Sequence, residues 1–374
     1  MNDATNTALE RLAIDGAVNL SDGHARQPLS ASEREIVARL PALYTEAAAM
    51  AQSEAEQAFA DAFFRLADEP RPRAIAYSYS TSCLVAIVAQ SLADEGRAVI
   101  LPEPGFDNIR DLLVRAGVEI ITIAEDRVLE LTPDDLHGRA LWLTLPNNPT
   151  GWVAGRGAFR RLVAAIAEAD ESLLVVDFCF RLFSQELCAW SQYEELERAG
   201  IDHVTLEDTG KTFPLLDVKA GMLTGSPSRM EDLRVRNEEV LLNVSPWTLL
   251  LLRDLCVDYR ERGLDAALWT PNRSRRDTLR AAIADASEAF RVVGTGDSAP
   301  FVWLELTGPD AADGASAIVE RARRQGLHLL PGTHFFSRAE QGERFLRIPV
   351  ARAEAELRAG GRLLRAVLSE KARR

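Results

Sequence analysis

Long hydrophobic runs are missing from this 374-residue chain; even Leu249 to Leu252 is far too short to cross a bilayer. The first residues, Met1-Asn2-Asp3-Ala4, have neither a basic stretch nor an apolar core, so no secretory leader is read. Cysteine is scarce: Cys83, Cys179, Cys188 and Cys256 form no Cys-x-x-Cys pair, so neither a zinc site nor a disulfide scaffold is suggested. The five histidines lack metal-ligand spacing, so no metal is expected. Positive charge is in deficit, with a net charge of −13, which argues against nucleic acid or an anionic membrane as partner. Repeats, low-complexity tracts and charged tails are absent too. What remains is a chain 47% hydrophobic and 26% charged, long enough for a large domain and a smaller one. A soluble protein of the reducing cytoplasm is expected.

Strands alternate with helices through the first two thirds. Arg73–Ser78, Ala98–Leu101, Val118–Ile123, Ala140–Leu145, Leu173–Val176 and Val204–Glu207 read as strands, most of them apolar throughout. Helical spacing appears in 32–66, from Cys83, in Asn108–Ala116 and around Phe159–Ile166. Such alternation predicts an α/β fold with a mainly parallel sheet between helices. A long helical stretch follows over Trp247–Ala286, broken near Pro271. A smaller α/β unit closes the chain, with strands at Phe301–Leu306, Leu327–Leu330 and Phe345–Val350 and a last helix over Ala353–Ser369. Thr7–Ile14 reads as a short helix and Asn19–Gln27 as a polar loop.

In an open parallel sheet the ligand sits beyond the carboxyl ends of the strands. Ser80, Asn148, Asp177 and Lys211 all follow predicted strands, which is the reason to expect them to converge. Glu207-Asp208-Thr209-Gly210-Lys211 is the centre of that pattern: a lysine past a strand end, beside a glycine that lets the chain bend. Alone, Lys211 reads as a solvated loop lysine; in a walled pocket it is an amine nucleophile toward a carbonyl. Ser80-Thr81-Ser82 lies between a strand and a helix start, as an anion-binding cup would; plain helix capping needs only one of those hydroxyls.

Taken together, these pieces resemble the fold-type I enzymes of pyridoxal 5′-phosphate (PLP), the aspartate-aminotransferase superfamily, over most of the chain. The resemblance implies a seven-stranded sheet and a homodimer. Pro146-Asn147-Asn148-Pro149-Thr150-Gly151 matches the family's asparagine turn, although Asn-Pro-Thr-Gly by itself is only a turn signal. By the same resemblance Asn148 bonds the phenolic oxygen, Asp177 the pyridine nitrogen, and Lys211 is the Schiff-base lysine. Ser80, Thr81 and Ser82 hold the phosphate, Lys219 takes the place of a phosphate-binding arginine, and Phe106 stacks on the ring. Arg347 would clamp the substrate α-carboxylate. Phe106 without its motif is equally a core aromatic. The pattern departs from ordinary aminotransferases at Asp208, where a serine is usual, at Phe180, where a tyrosine is usual, and at Lys219.

Asp22-Gly23-His24-Ala25-Arg26-Gln27, Phe106-Asp107-Asn108-Ile109 and Glu207–Lys211 are similar to the PLP-dependent L-arginine oxidases and hydroxylases of enduracididine-type antibiotic biosynthesis. That similarity implies dioxygen as co-substrate, L-arginine as substrate, and 4-hydroxy-2-ketoarginine and 2-ketoarginine as products. It also implies an N-terminal arm over 1–31 that closes on a large PLP domain (32–266) and a small domain (267–374). On the arm, Thr7, Glu10, Asp22 and His24 match positions near the substrate. Asp208 and Glu10 would face the guanidinium, and His24 would act as acid or base with Lys211 and Asp177 as the other catalytic residues. Read without the resemblance, His24 is a surface histidine, Glu10 and Asp22 are solvated charges, and Cys179 is a small buried apolar residue. The rival readings are an arginine or other amino-acid aminotransferase, a PLP-binding regulatory domain and a carbon–sulfur lyase. The regulatory reading lacks a DNA-binding helix pair in 1–31, and the lyase leaves Asp208 unexplained.

Overall fold

In this computed structural model, residues 5–284, 289–294, 298–307 and 312–369 are described. Among the described residues twelve strands form two sheets: β1 (Val18–Leu20), β2 (Ala76–Ser78), β3 (Val99–Glu103), β4 (Ile120–Ala124), β5 (Ala140–Thr144), β6 (Leu173–Asp177), β7 (His203–Asp208), β8 (Gly221–Gly225), β9 (Phe290–Val293), β10 (Phe301–Leu306), β11 (Leu327–Pro331) and β12 (Phe345–Pro349). The larger sheet has seven strands in the order β2-β8-β7-β6-β5-β3-β4. All its pairings are parallel except those of β8, which runs against both β2 and β7. This is the mainly parallel α/β sheet the alternation predicted.

The apolar-throughout strands are buried on both faces. In β6, Leu174 and Val176 join one core, while Leu173 and Val175 join the core on the other side. Each face needs its own helical cover, which is why these strands show no polar alternation. Helix Thr81–Asp94 covers one side, with Leu84, Val88 and Leu92 fully or almost fully buried.

The stretch predicted as helical over 32–66 holds three α-helices: Ala31–Ala38, Leu40–Ala48 and Gln52–Phe64. Ser30 caps the first through a reciprocal box with Glu33, and Pro41 stands in the first turn of the second, where its missing N–H costs nothing. The long stretch from 247 breaks at Gly263 (φ 77°) rather than at Pro271, which lies in the first turn of helix Thr270–Ile283. Its predicted end at Ala286 lies outside the described residues.

The second sheet has five strands in the order β1-β11-β12-β10-β9. The N-terminal loop reading is corrected here. Val18–Leu20 pairs in parallel with Leu327–Leu329, and Leu20 is fully buried in the small core. Strand propensity at three residues is negligible; a partner strand some three hundred residues away decides it. Also unread in the sequence were β8, β9 and helix Pro227–Val240. Among the described residues no helix is long and apolar enough to cross a membrane.

Candidate active site

Strand register gathers the site. Ser78, Gly221 and Asp208 lie in one row across β2, β8 and β7, and Thr144 and Asp177 are paired across β5 and β6. The residues just past β2, β5, β6 and β7 therefore share one edge with the residues just before β8. Asn148, Asp177 and Lys211 arrive from strand ends. Lys219 arrives because β8 is antiparallel and presents its start.

At the phosphate-cup end, Ser80 caps helix Thr81–Asp94 by accepting the Ser82 N–H at 3.2 Å. Thr81 donates its hydroxyl to Asp208 Oδ2 at 3.0 Å, and Asp208 Oδ1 accepts the Gly210 N–H at 2.6 Å. Both oxygens of Asp208 thus have local donors, which hold the turn that carries Lys211. Gly210 has a steric reason: a Cβ there would stand 2.6 Å from Lys219 Cδ and 3.1 Å from Asp208 Oδ1.

Asp177 ends β6 inside the protein. Its Oδ1 accepts the Cys179 N–H at 2.9 Å, and the Cys179 thiol also bonds it. Burial pushes its carboxyl up, and the Asp208 charge adds to that. The Cys179 bonds and the Lys211 charge pull the other way. The same burial, with the Asp177 and Asp208 charges, raises the Cys179 thiol well above its ordinary range. Asp177, Cys179, Asp208 and Lys211 therefore lie in one electrostatic field.

The N-terminal segment closes the other side. His24 Nδ1 lies 2.6 Å from Asp22 Oδ1, and its Nε2 lies 3.3 Å from Lys211 Nζ and 2.9 Å from Lys219 Nζ. A carboxylate at Nδ1 fixes the proton there and turns the Nε2 lone pair toward the two lysines. Asp22 also pairs with Arg26 at 2.8 Å, and Arg26 reaches Asp217 at 3.0 Å. Arg352, fully buried, fastens this segment by donating to the carbonyls of Asn19 (2.8 Å), His24 (2.8 Å) and Asp22. Arg352 and Asp217 were missed in the sequence. An arginine two residues past Val350 in an apolar stretch was the available signal.

From β12, Arg347 is 1% exposed. It donates to Asn148 Oδ1 at 3.3 Å, to Glu10 at 2.9 Å and to the Ser21 carbonyl, while its Nε has no partner among the described residues. Phe106 and Phe335 place their rings 5.9 and 5.8 Å from its guanidinium carbon. Glu10, expected at a substrate guanidinium, here meets the chain's own. Thr7 is exposed on helix Asn6–Ala13, one turn before Glu10.

Behind the edge, Arg181 is buried between Glu69 (3.4 Å) and Glu207 (2.8 Å), with Tyr193 donating to Glu207 at 3.1 Å. Burial pushes Glu207 up to about 7 against the pull of Arg181. This brace ties the chain just after Asp177 to the residue just before Asp208.

Three known proteins frame the site. A solved structure of MppP soaked with the product 2-ketoarginine superposes with a TM-score of 0.87 at 31% identity, over 94% of this chain and 99% of that one. LysN, an α-aminoadipate aminotransferase from Thermus thermophilus, gives 0.78 at 19% identity over 98% and 95%, a likeness of fold. LL-diaminopimelate aminotransferase of Dehalococcoides mccartyi is 25% identical over 284 residues, 71% of this chain and 68% of that protein.

The residues present fit PLP. A buried carboxylate, Asp177, is held by a peptide N–H and a thiol and has room in its chemistry for a protonated ring nitrogen. Lys211 offers an amine, and the Ser80–Ser82 helix start with Lys219 offers donors for a phosphate dianion. The model for aminotransferase class I and II matches residues 19–360, so the chain belongs to that family of fold-type I, PLP-dependent enzymes.

Proposed function

We propose that this enzyme oxidises L-arginine with dioxygen, giving 2-ketoarginine and 4-hydroxy-2-ketoarginine for natural-product biosynthesis, as a cytoplasmic homodimer. The observation that carries the reading is His24 Nε2 at 3.3 Å from Lys211 Nζ, with Asp22 setting the ring's tautomer. Transamination needs one amine to shuttle a proton. A second, oriented base beside it suits a reaction that removes more than one. The likeness to MppP, whose structure holds 2-ketoarginine, supports the same substrate.

When bound, PLP supplies the aldehyde that captures the substrate amine and the electron sink for its Cα. The chain does the rest. Arg347 and Asn148 hold the α-carboxylate, displacing Glu10 from the guanidinium. Lys211 takes the Cα proton. His24 accepts a further proton at Nε2 and returns it to the departing oxygen species. Asp177 would keep the ring nitrogen protonated, Phe106 would pack on the ring, and Thr81, Ser82 and Lys219 would hold the phosphate. Asp208 and the released Glu10, with Thr7 and Asp22 nearby, offset the guanidinium charge. The two-electron reaction takes arginine, dioxygen and water to 2-ketoarginine, ammonia and hydrogen peroxide. The hydroxylated product takes a second dioxygen and a second water, with a second peroxide formed.

The test is oxygen consumption with arginine alone. Uptake without any 2-oxo acid, with both ketoacids found by mass, supports the proposal. No uptake, with product only after pyruvate or 2-oxoglutarate is added, assigns transamination, the reading that the family's other members favour.

A further inference from the structure

A cavity of about 20 Å³ abuts the site and has no part in the chemistry described so far. The first turn of helix Asp107–Ala116 borders it through Ile109 and Arg110, and Leu101, Trp142 and Leu143 close it from the strands. Phe106 and Phe335 belong to both places: they line the cavity, and their rings lie 5.9 and 5.8 Å from the Arg347 guanidinium carbon. Thr144, another lining residue, is the register partner of Asp177, and Asn147 precedes the Asn148 that meets Arg347.

The cavity admits one small molecule, since about 10–15 Å³ suffices for a water. Its chemistry is poor for water. Asn147 spends its amide on the Pro104 carbonyl (2.8 Å) and on Glu125 (2.5 Å), and the same Glu125 oxygen takes the Thr150 hydroxyl at 2.6 Å. Ser337 donates to Glu103 at 3.0 Å, and Arg110 donates to the His334 carbonyl at 3.3 Å. What is left is the Thr144 hydroxyl and the indole N–H of Trp142, which is fully buried and meets no acceptor among the described residues. A buried water takes about two to four polar partners, so this lining offers it the minimum. The rest of the wall is aromatic or aliphatic, and that suits a small neutral molecule.

Access supplies a second reason. The N-terminal segment lies over the site, with Glu10 on Arg347 and His24 beside Lys211. A co-substrate that reacts after arginine has bound cannot rely on the way arginine came in. Among the described residues, none of the N-terminal segment lines the cavity. Its rim residues Glu103, Arg110 and Glu125 are partly exposed, which gives it a side toward solvent.

We propose that this cavity is a dioxygen site, entered past Glu103, Arg110 and Glu125 and opening on the reaction past the Phe106 and Phe335 rings. The proposal rests on the oxidase reading above and deepens it, giving the gas an entrance separate from that of the amino acid.

Crystals of the PLP-loaded enzyme pressurised with xenon, which enters dry cavities, should show a xenon atom against Trp142 and Ile109. Rates with saturating arginine and varied dioxygen then test the use of the space. Ile109→Phe fills it and should raise KM for dioxygen about fivefold, with kcat within about twofold. Arginine binding by that variant, read anaerobically from the coenzyme spectrum, should stay within about twofold of wild type. A larger side chain can strain a packed helix, so Ile109→Val is the companion: it widens the space, and should take xenon at least as fully with KM for dioxygen no higher than wild type. An ordered water on the Trp142 N–H that xenon does not displace overturns the proposal. So does an Ile109→Phe enzyme with wild-type melting and a wild-type KM for dioxygen. Wild-type enzyme that takes up no dioxygen with arginine overturns the oxidase reading and the proposal together; uptake with xenon excluded overturns the cavity alone.

Discussion

Asp22 accepts the Nδ1 proton of His24 at 2.6 Å, and this contact decides what the other ring nitrogen can do. With Nδ1 protonated, Nε2 is left as an acceptor facing two lysines. The same carboxylate binds Arg26, so one side chain sets both the tautomer and the position of the segment.

Asp22→Asn should therefore strike catalysis and docking together. Burial alone would raise this carboxyl, but the bond and charge of His24, with the charges of Arg352 and Lys211, hold it far below the ordinary carboxylate range. A depressed acid contributes stability above its unfolded pKa and loses it only as pH falls through the folded value. Amide exchange across residues 18–27 should stay protected on this account in the wild type from about pH 7 to about pH 5. In Asp22→Asn it should be fast throughout, with turnover down about a hundredfold.

Asp107 has the opposite sign. Its folded pKa is raised to about 6 by burial, so its contribution is full below the unfolded value and is lost as pH rises through 6. The difference amounts to about 3 kcal/mol. Asp107→Asn should remove this segment of the pH–stability curve. Thermal melts of wild type and variant between about pH 4 and about pH 7 would show the two curves converging at the acid end.

Arg181→Met should destabilise by about 3–5 kcal/mol, because it strands Glu69 and Glu207 without a counter-charge. Glu207→Gln should cost less near neutrality, since burial already pushes that carboxyl up to about 7. Denaturant titration of both variants gives the comparison.

Gly210→Ala places a methyl 2.6 Å from Lys219 Cδ. Lys219 must swing away from His24, and the phosphate loses a cation. The expected result is a folded protein with PLP affinity lowered about tenfold by the lost charge-assisted bond, read by coenzyme titration.

Lysine is rare here: Lys211, Lys219 and Lys371 against forty arginines. Borohydride reduction of the loaded enzyme should leave the coenzyme's mass on the peptide containing residue 211. Lys211→Ala should lose the visible colour and essentially all turnover, as expected for a missing covalent nucleophile. Label on the peptide containing residue 219 would reassign the role.

The parts read correctly from residues share one property: their environment is uniform. Leu173–Asp177 is buried from end to end, so its apolar run announces a central strand. Gly221-Met222-Leu223-Thr224-Gly225 is bracketed by glycines and carries a threonine, and only its neighbours β2 and β7 make it a strand. The site divides the same way. Lys211 and Asp177 stand at strand ends and were legible. Arg352 acts on the carbonyls of Asn19, Asp22 and His24, and a carbonyl carries no side-chain signature. Glu10 lies on helix Asn6–Ala13, and its bond to Arg347 depends on two folded surfaces meeting, which no local pattern announces.

The pairing of Val18–Leu20 with Leu327–Leu329 has a consequence for the order of assembly. During synthesis the first strand leaves the ribosome long before its partner exists. The seven-stranded layer, complete by residue 225, can form while that strand waits. Closing so long a loop is a late and slow event. The imidazole of His24 therefore reaches Lys211 only after nearly the whole polypeptide has been made, and a nascent chain stalled before residue 327 would carry the strand-end site with no histidine beside its lysine.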